Sequence, residues 1–175
     1  MNNNYLIVVD MQVDFVHGVL GTKEAIAMIP HAVKTIQTFQ GTIVFTQDTH
    51  QKDYLTTLEG QKLPVIHCVK GTPGWDFHEA IKPFTVGKKI FQKETFGSKD
   101  LAMYLKAQDA QTKIDNIYFL GLCTDICVIS NTMTVKSFLP NTPLYVIEKA
   151  CAGVTPVSHK NALEAMKACQ INIVN

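Results

Sequence analysis

Short apolar runs recur along the chain, and most are continuous rather than alternating with polar residues. They predict five strands and a candidate sixth, at residues 5–9, 42–46, 89–92, 117–120, 144–147 and 171–174. Runs without alternation are typical of a sheet that is covered on both faces, and such sheets are usually parallel.

Between the strands, apolar residues recur at spacings of three and four, which predicts helices at residues 24–39, 98–108, 125–138 and 156–168. We place Ile26 on the buried face of the first helix and expect Pro30 to kink or end it. Ser98 and the Thr155-Pro156 pair are suited to start the second and fourth helices. Strands that alternate with helices predict an α/β protein, a three-layer α/β/α sandwich with a mostly parallel central sheet, in a single domain over residues 1–175.

Composition and charge narrow the class of protein. Apolar residues make up 46% of the chain, which argues against disorder, and a net charge of +1 provides no field to attract nucleic acid or anionic lipid. The longest apolar run near the N-terminus is too short for a membrane span. Five cysteines, an odd number, fit a reducing compartment better than a disulfide framework. We therefore expect a cytoplasmic protein with no nucleic-acid partner and no membrane attachment.

One segment, residues 47–85, breaks the alternation of strands and helices. It contains several prolines and glycines and three of the six histidines. Loops of this length in a compact domain are usually functional or disordered, and the histidines favour function.

Reactive side chains follow four of the predicted strands. Asp10, Asp48, Lys93 and the segment 121–127 all lie at carboxyl ends, which is where parallel α/β sheets bind ligands. Taken singly, each is most often a helix cap or a surface charge. Cys127 lies where a strand turns into a helix, an environment that favours a thiolate, although an inert buried cysteine is the common alternative. Asp10 is a candidate base for it, and Lys93 a candidate cation beside both.

A second group of side chains has the composition of a metal site. Asp48 and His50 occupy alternate positions of an extended segment and so face the same side, and His67 follows in the same loop. One carboxylate and two imidazoles suit zinc, iron or manganese. Two surface histidines without a metal are the alternative.

These residues resemble the isochorismatase-like cysteine hydrolase superfamily. The resemblance rests on V-V-D-M-Q-V-D-F at residues 8–15, F-Q-K-E-T-F at residues 91–96 and G-L-C-T-D-I-C-V at residues 121–128. It implies that Asp10, Lys93 and Cys127 form a catalytic triad. It also implies a cis peptide between Leu122 and Cys123, with the backbone N–H groups of Cys123 and Cys127 forming an oxyanion hole.

The middle of the chain resembles one branch of this superfamily, the nicotinamidases and pyrazinamidases. Residues 63–74, L-P-V-I-H-C-V-K-G-T-P-G, are similar to a motif of that branch. The resemblance implies that Asp48, His50 and His67 bind a divalent metal ion. It further implies substrate contacts for Phe15, Trp75 and Leu122. A further histidine that many nicotinamidases carry soon after the Asp-x-His pair is absent here.

The resemblance implies a hydrolase that converts nicotinamide to nicotinate and ammonia through a thioester, as in pyridine nucleotide biosynthesis. Zinc is the expected metal, with iron or manganese as alternatives, and no organic cofactor is expected. Members of this family usually form dimers or tetramers, so a homo-oligomer is expected. Two alternatives stay open: hydrolysis of another small amide, ureido or enol-ether substrate, and a non-catalytic binding module on the same fold.

Overall fold

The computed structural model describes residues 3–175, so the first two residues of the predicted domain lie outside the described residues. Its centre is a six-stranded sheet of order β3-β2-β1-β4-β5-β6, in which every neighbouring pair is parallel. The strands are β1 (Asn4–Val9), β2 (Thr42–Asp48), β3 (Lys89–Lys93), β4 (Asn116–Leu122), β5 (Leu144–Ala152) and β6 (Asn172–Val174). All six predicted strands are confirmed.

The helices are α1 (Val13–Val16), α2 (Lys23–Thr38), α3 (Leu58–Lys62), α4 (Lys99–Gln111), α5 (Ile129–Phe138) and α6 (Pro156–Ala168). From β1 the chain adds β2 and β3 on one side of the sheet, and from β4 it adds β5 and β6 on the other side. Because parallel crossovers are right-handed, the connecting helices of the two halves cover opposite faces. The predicted α/β sandwich is confirmed, and the strand order reverses between β1 and β4, where such sheets bind ligands.

The strands form because their apolar side chains are buried on both faces. In β1, four side chains are completely buried, those of Leu6, Ile7, Val8 and Val9. Each such side chain contributes roughly 1.5–3 kcal/mol to the free energy of folding relative to an exposed one.

Two helices start at the residues that the sequence predicts. The Ser98 hydroxyl accepts a hydrogen bond from Leu101 N (3.1 Å), and Thr155 accepts one from Ser158 N (3.0 Å).

The prediction for the first long helix was wrong for Ile26, and of the two outcomes expected for Pro30 the end of the helix is excluded. Ile26 is 54% exposed, because the buried face is centred on Ala25, Ile29 and Ala32, and Ile26 is rotated away from it. Pro30 does not end the helix, since α2 continues to Thr38. Pro30 lies on the exposed side, where water can bond the carbonyl oxygen that its missing N–H leaves free.

The segment 47–85 has more structure than a loop prediction implies. It contains α3 and two 3₁₀ turns, at Tyr54–Thr56 and Lys82–Thr85. Two isolated bridges, His50 with Val69 and Gln12 with Phe77, fix it against the end of the sheet.

Among the described residues, no helix is long and apolar enough to cross a bilayer.

Two other elements depart from the pattern. β5 continues past the predicted end at residue 147 to Ala152, because an irregularity in its pairing with β4 lets the strand resume beside Gly121 and Leu122. The helix predicted at residues 125–138 is split into a π-helical turn, Thr124–Val128, and α5. The π-helical turn holds Cys127, so the candidate nucleophile has an unusual backbone setting.

Gly121 is a position where only glycine fits. Its φ is +126°, and a Cβ there would collide with the backbone oxygen of Val9 on the neighbouring strand. We expect Gly121→Ala to lower the free energy of unfolding by about 3 kcal/mol or more, because backbone strain and a backbone clash add together. The control is Gly87→Ala. Gly87 also has positive φ (+70°) but nothing within 4 Å, so about 1 kcal/mol is expected. Equal losses of stability in urea unfolding would show that the contact with Val9 does not restrict position 121.

Candidate active site

The side chains predicted at four strand ends do come together. Lys93 at the end of β3 places its Nζ 2.6 Å from Asp10 Oδ2, 3.0 Å from Asp48 Oδ1 and 3.6 Å from Cys127 Sγ. The lysine side chain is 2% exposed. Burial disfavours its charge, but Asp10, Cys127 and Asp48 outweigh that effect and raise the pKa of Lys93 well above its ordinary value. Lys93 is therefore a permanent cation in the centre of the site.

Asp10 directly follows β1 and is completely buried. Its Oδ1 accepts a hydrogen bond from the Thr46 hydroxyl at 2.6 Å, and its Oδ2 faces Lys93. Burial raises the pKa of Asp10 above its ordinary value, while Lys93 and Thr46 act against the rise. A carboxylate with a raised pKa accepts a proton more readily than an ordinary aspartate does, which suits a general base.

Cys127 is buried in the π-helical turn, where its Sγ contacts Lys93 Nζ at 3.6 Å. Burial raises the pKa of Cys127 well above its ordinary value, against the opposing effect of Lys93. Burial therefore opposes the thiolate that the start of a helix favours, and it outweighs the nearby cation. Asp10 Oδ2 and Cys127 Sγ both contact Lys93 Nζ, so Asp10 is the candidate acceptor for the thiol proton.

The peptide bond between Leu122 and Cys123 is cis, as the family resemblance implies. The next residues turn sharply, because the carbonyl oxygen of Cys123 accepts from Ile126 N at 3.1 Å and from Val128 N at 3.0 Å. The predicted oxyanion donors, the N–H groups of Cys123 and Cys127, thus belong to one compact turn.

Beside the triad, Asp48, His50 and His67 form a second buried cluster, with one ligand atom of each within 4.8 Å of the others. Asp48 Oδ2 lies 3.0 Å from His50 Nε2 and 3.8 Å from His67 Nε2. The other oxygen of Asp48 contacts Lys93. Burial opposes its charge, but His50 and Lys93 prevail and lower the pKa of Asp48, so it is ionised.

The hydrogen bonds of the two histidines fit a metal ion. His67 Nδ1 lies 2.7 Å from the carbonyl oxygen of Val65, which can only accept, so Nδ1 carries the proton and Nε2 presents a lone pair to the carboxylates. His50 Nε2 is buried and faces Asp48 Oδ2 at 3.0 Å, but without the direction of a hydrogen bond. A backbone carbonyl behind a histidine is the usual support of a metal ligand. The donor set therefore suits a divalent metal.

Sequence reasoning missed one member of this cluster, Glu59. It lies on α3, and its Oε1 is 3.6 Å from His50 Nε2 and 3.8 Å from His67 Nε2. Tyr54, in the preceding turn, packs its ring against both histidines at 4.5 and 5.0 Å. Glu59 has no motif of its own. Its only signal is that it is an acidic residue between two histidines in the loop that lacks the family's additional histidine.

The three predicted substrate contacts lie in different places. Phe15 on α1 is buried, with its ring 5.5 Å from that of His67. Leu122 is buried at the end of β4. Trp75 is half-buried and donates from Nε1 to the Thr49 hydroxyl at 2.9 Å, so it is held beside the residue that separates Asp48 from His50. All three lie near one cluster or the other, and their contact with substrate stays a prediction.

A further group, His17, His78 and Glu79, also has ligand atoms within 4.8 Å of one another. Here His78 Nδ1 accepts a hydrogen bond from Ala80 N at 3.2 Å, so the proton is on Nε2 and points toward Glu79, 3.3 Å away. This tautomer donates a hydrogen bond and leaves no free lone pair on His78. His67 and His78 therefore differ in which ring nitrogen carries the proton. Of the two groups, the one that contains His67 is arranged for a metal.

The remaining cysteines lie outside the triad. Cys68 and Cys151 are buried, and burial raises the pKa of both thiols. Cys169 is exposed at the end of α6.

The sequence and the fold match known proteins over nearly their whole length. Residues 4–175 match the isochorismatase domain. A nicotinamidase from Schizosaccharomyces pombe is 26% identical over 97% of this chain and 92% of its own. A pyrazinamidase from Pyrococcus horikoshii, solved in complex with zinc, has a TM-score of 0.80 and 27% identity, covering 99% of each chain. A nicotinamidase/pyrazinamidase from Bacillus subtilis has a TM-score of 0.85 at 22% identity, covering 99% of this chain and all of its own. The chain thus belongs to the isochorismatase family.

Proposed function

We propose that the protein is an amidohydrolase that converts nicotinamide to nicotinate and ammonia. The observation that carries the proposal is the Asp48 carboxylate, which joins the two clusters: one oxygen contacts Lys93 and the other His50. A triad with a cysteine nucleophile suits an amide, and an adjoining metal cluster suits a substrate with a ring nitrogen. The nicotinamidase and pyrazinamidase relatives support the same assignment.

In the proposed first half-reaction, Asp10 takes the proton of Cys127 as Sγ attacks the carboxamide carbon. The negative charge that develops on the substrate oxygen is stabilised by the N–H groups of Cys123 and Cys127. Asp10 then delivers its proton to the departing nitrogen, and ammonia leaves a thioester on Cys127. Lys93 remains charged throughout and stabilises each anionic form of its two neighbours.

The second half-reaction uses the same groups. Asp10 takes a proton from water, the resulting hydroxide attacks the thioester carbon, and the carbon–sulfur bond breaks. Sγ recovers the proton from Asp10, and nicotinate is released. The site returns to its starting state with one water consumed and one ammonia formed.

Asp48, His50 and His67 would hold the divalent metal, and Glu59 would be an outer carboxylate beside the two histidines. When bound, the metal would supply a Lewis acid for the pyridine nitrogen of the substrate, and zinc fits a set of two imidazoles and one carboxylate that leaves a position open. Phe15, beside His67, is positioned to pack against the pyridine ring, and Leu122 and Trp75 are the further proposed contacts.

The nucleophile is tested by Cys127→Ala, with ammonia release from nicotinamide as the measurement. We expect a loss of about 1,000-fold or more, since no other group can form the thioester. Cys169→Ala, at the exposed cysteine, is the matched control and should retain full activity. Ammonia release that survives Cys127→Ala would refute the mechanism. Hydrolysis of a ureido or enol-ether substrate by wild-type protein that leaves nicotinamide untouched would favour the alternative substrates.

The metal cluster is tested by titrating metal-free protein with zinc. We expect His67→Ala to abolish tight binding and Glu59→Gln to weaken it by about 10- to 100-fold, a range usual for an outer member of a site. His17→Ala, in the histidine group that is not arranged for a metal, is the control and should bind zinc as the wild type does. Equal effects of the His17 and His67 substitutions would contradict the assignment.

The base is tested through the pH dependence of kcat/KM. Because burial raises the pKa of Asp10, the acid limb should lie above the ordinary aspartate range, and activity should fall as pH drops through it. Thr46→Val removes a hydrogen bond that favours the carboxylate, so the pKa should rise and the acid limb should move up by about one unit. Thr132→Val, whose hydroxyl bonds only Val128 O, should leave the limb in place. A downward or absent shift for Thr46→Val would exclude Asp10 as the titrating base.

A further inference from the structure

Lys93 and Cys127 belong to parts of the sheet that do not touch. Lys93 ends β3, and Cys127 follows β4, with β2 and β1 between them. At the usual spacing of about 4.8 Å between neighbouring strands, the two strands are about 14 Å apart. No ladder of hydrogen bonds joins β3 to β4 directly, yet Lys93 Nζ and Cys127 Sγ must stay 3.6 Å apart.

A buried asparagine makes the link that the sheet does not. Asn131 lies on α5, four residues after Cys127, and is completely buried. Its Nδ2 donates to the carbonyl oxygen of Cys127 at 2.8 Å and to that of Phe96 at 3.0 Å. Its Oδ1 accepts from Ser98 N at 2.9 Å. One side chain thus holds the backbone of Cys127 and two residues, Phe96 and Ser98, of the loop that follows Lys93.

The packing at Gly97 independently places this loop against α5. A Cβ on Gly97 would lie 2.7 Å from Thr134 Oγ1 and 3.0 Å from Ser130 O, both on the helix. The loop and the helix therefore approach closely at this position. A side chain at position 97 would require Thr134 to move and would crowd the Ser130 backbone, so we expect it to shift the loop relative to α5.

We propose that Asn131 is a positioning residue, which sets the distance and direction between Lys93 and Cys127 by tying the loop 94–98 to the nucleophile's turn. The proposal rests on the proposed function, in which these two side chains work as a pair. An apolar side chain of similar volume would fill the space but would leave Ser98 N and the carbonyl oxygen of Phe96 without this partner, so the effect on rate must be measured apart from the effect on stability. The amide instead directs both of its donors and one acceptor to the two segments that carry the pair.

The test compares Asn131→Asp with Thr132→Val. Asn131→Asp keeps the acceptor for Ser98 N but replaces both donors with an oxygen that repels the carbonyl oxygens of Cys127 and Phe96. Thr132 is the adjacent, equally buried residue, and its hydroxyl donates to a backbone oxygen four residues earlier, that of Val128, rather than to the loop. Each variant is assayed with nicotinamide on the metal-loaded protein, and its melting temperature is recorded.

For Asn131→Asp we expect kcat to fall about 10- to 100-fold with KM changed less than threefold, because misplacement by about 1 Å costs rate rather than ring binding. Thr132→Val should change both constants less than threefold. Gly97→Ala, which displaces the loop while keeping the asparagine, should reproduce the fall in kcat. If Asn131→Asp does not fold, the kcat of Gly97→Ala tests the positioning role by itself. A kcat within threefold of wild type in Gly97→Ala, or losses that follow melting temperature alone, would overturn the proposal.

Alkylation of Cys127 by iodoacetamide, followed by peptide mass spectrometry, separates this proposal from the proposed function. The rate should fall at least fivefold in Asn131→Asp and Gly97→Ala but not in Thr132→Val. A wild-type protein that is inactive on nicotinamide yet shows this alkylation pattern would refute the substrate and retain the positioning role. Equal alkylation rates in all four proteins would refute the positioning role whatever the substrate.

Discussion

A single buried cation holds this site together. The ammonium group of Lys93 lies within 3.6 Å of groups carried by Asp10, Asp48 and Cys127, which come from three other strand ends. Removing two carboxylates from water costs several kcal/mol for each, and only a close counter-charge offsets that cost. Without the lysine, the ends of β1 and β2 would carry uncompensated buried charge. The geometry of the triad and the stability of this edge of the sheet therefore depend on the same ion pair.

Asp48 extends that dependence into the second cluster. Because its two oxygens contact different partners, Lys93 and His50, the charge of the triad and that of the histidine cluster are not independent. Glu59 adds a second carboxylate on the far side of the histidines. The second cluster thus places two carboxyl groups beside two imidazoles. A divalent cation bound there would balance the negative charge of the carboxylates. The two clusters are best regarded as one charge-coupled unit.

Most of the architecture could be predicted from the sequence because its signals are local. Continuous apolar runs marked the strands, and a polar residue directly after a run marked its carboxyl end, which placed Asp10, Asp48 and Lys93 at one edge. The features that escaped prediction depend on contacts distant in sequence. Glu59 gains its position from the packing of α3, and Asn131 from a loop some thirty residues earlier. Neither has a periodicity or a motif that would distinguish it.

The position of β3 has a consequence for how the site comes apart. β3 has only five residues and pairs with β2 alone, so it forms one edge of the sheet. Edge elements with few partners open by local fluctuation at lower free energy than the central strands do. Lys93, the cation of the proposed triad, is thus carried by an outer strand, while Asp10 and Cys127, the proposed base and nucleophile, follow central ones. Amide hydrogen exchange along β3 should accordingly report the integrity of the triad well before the core of the protein unfolds.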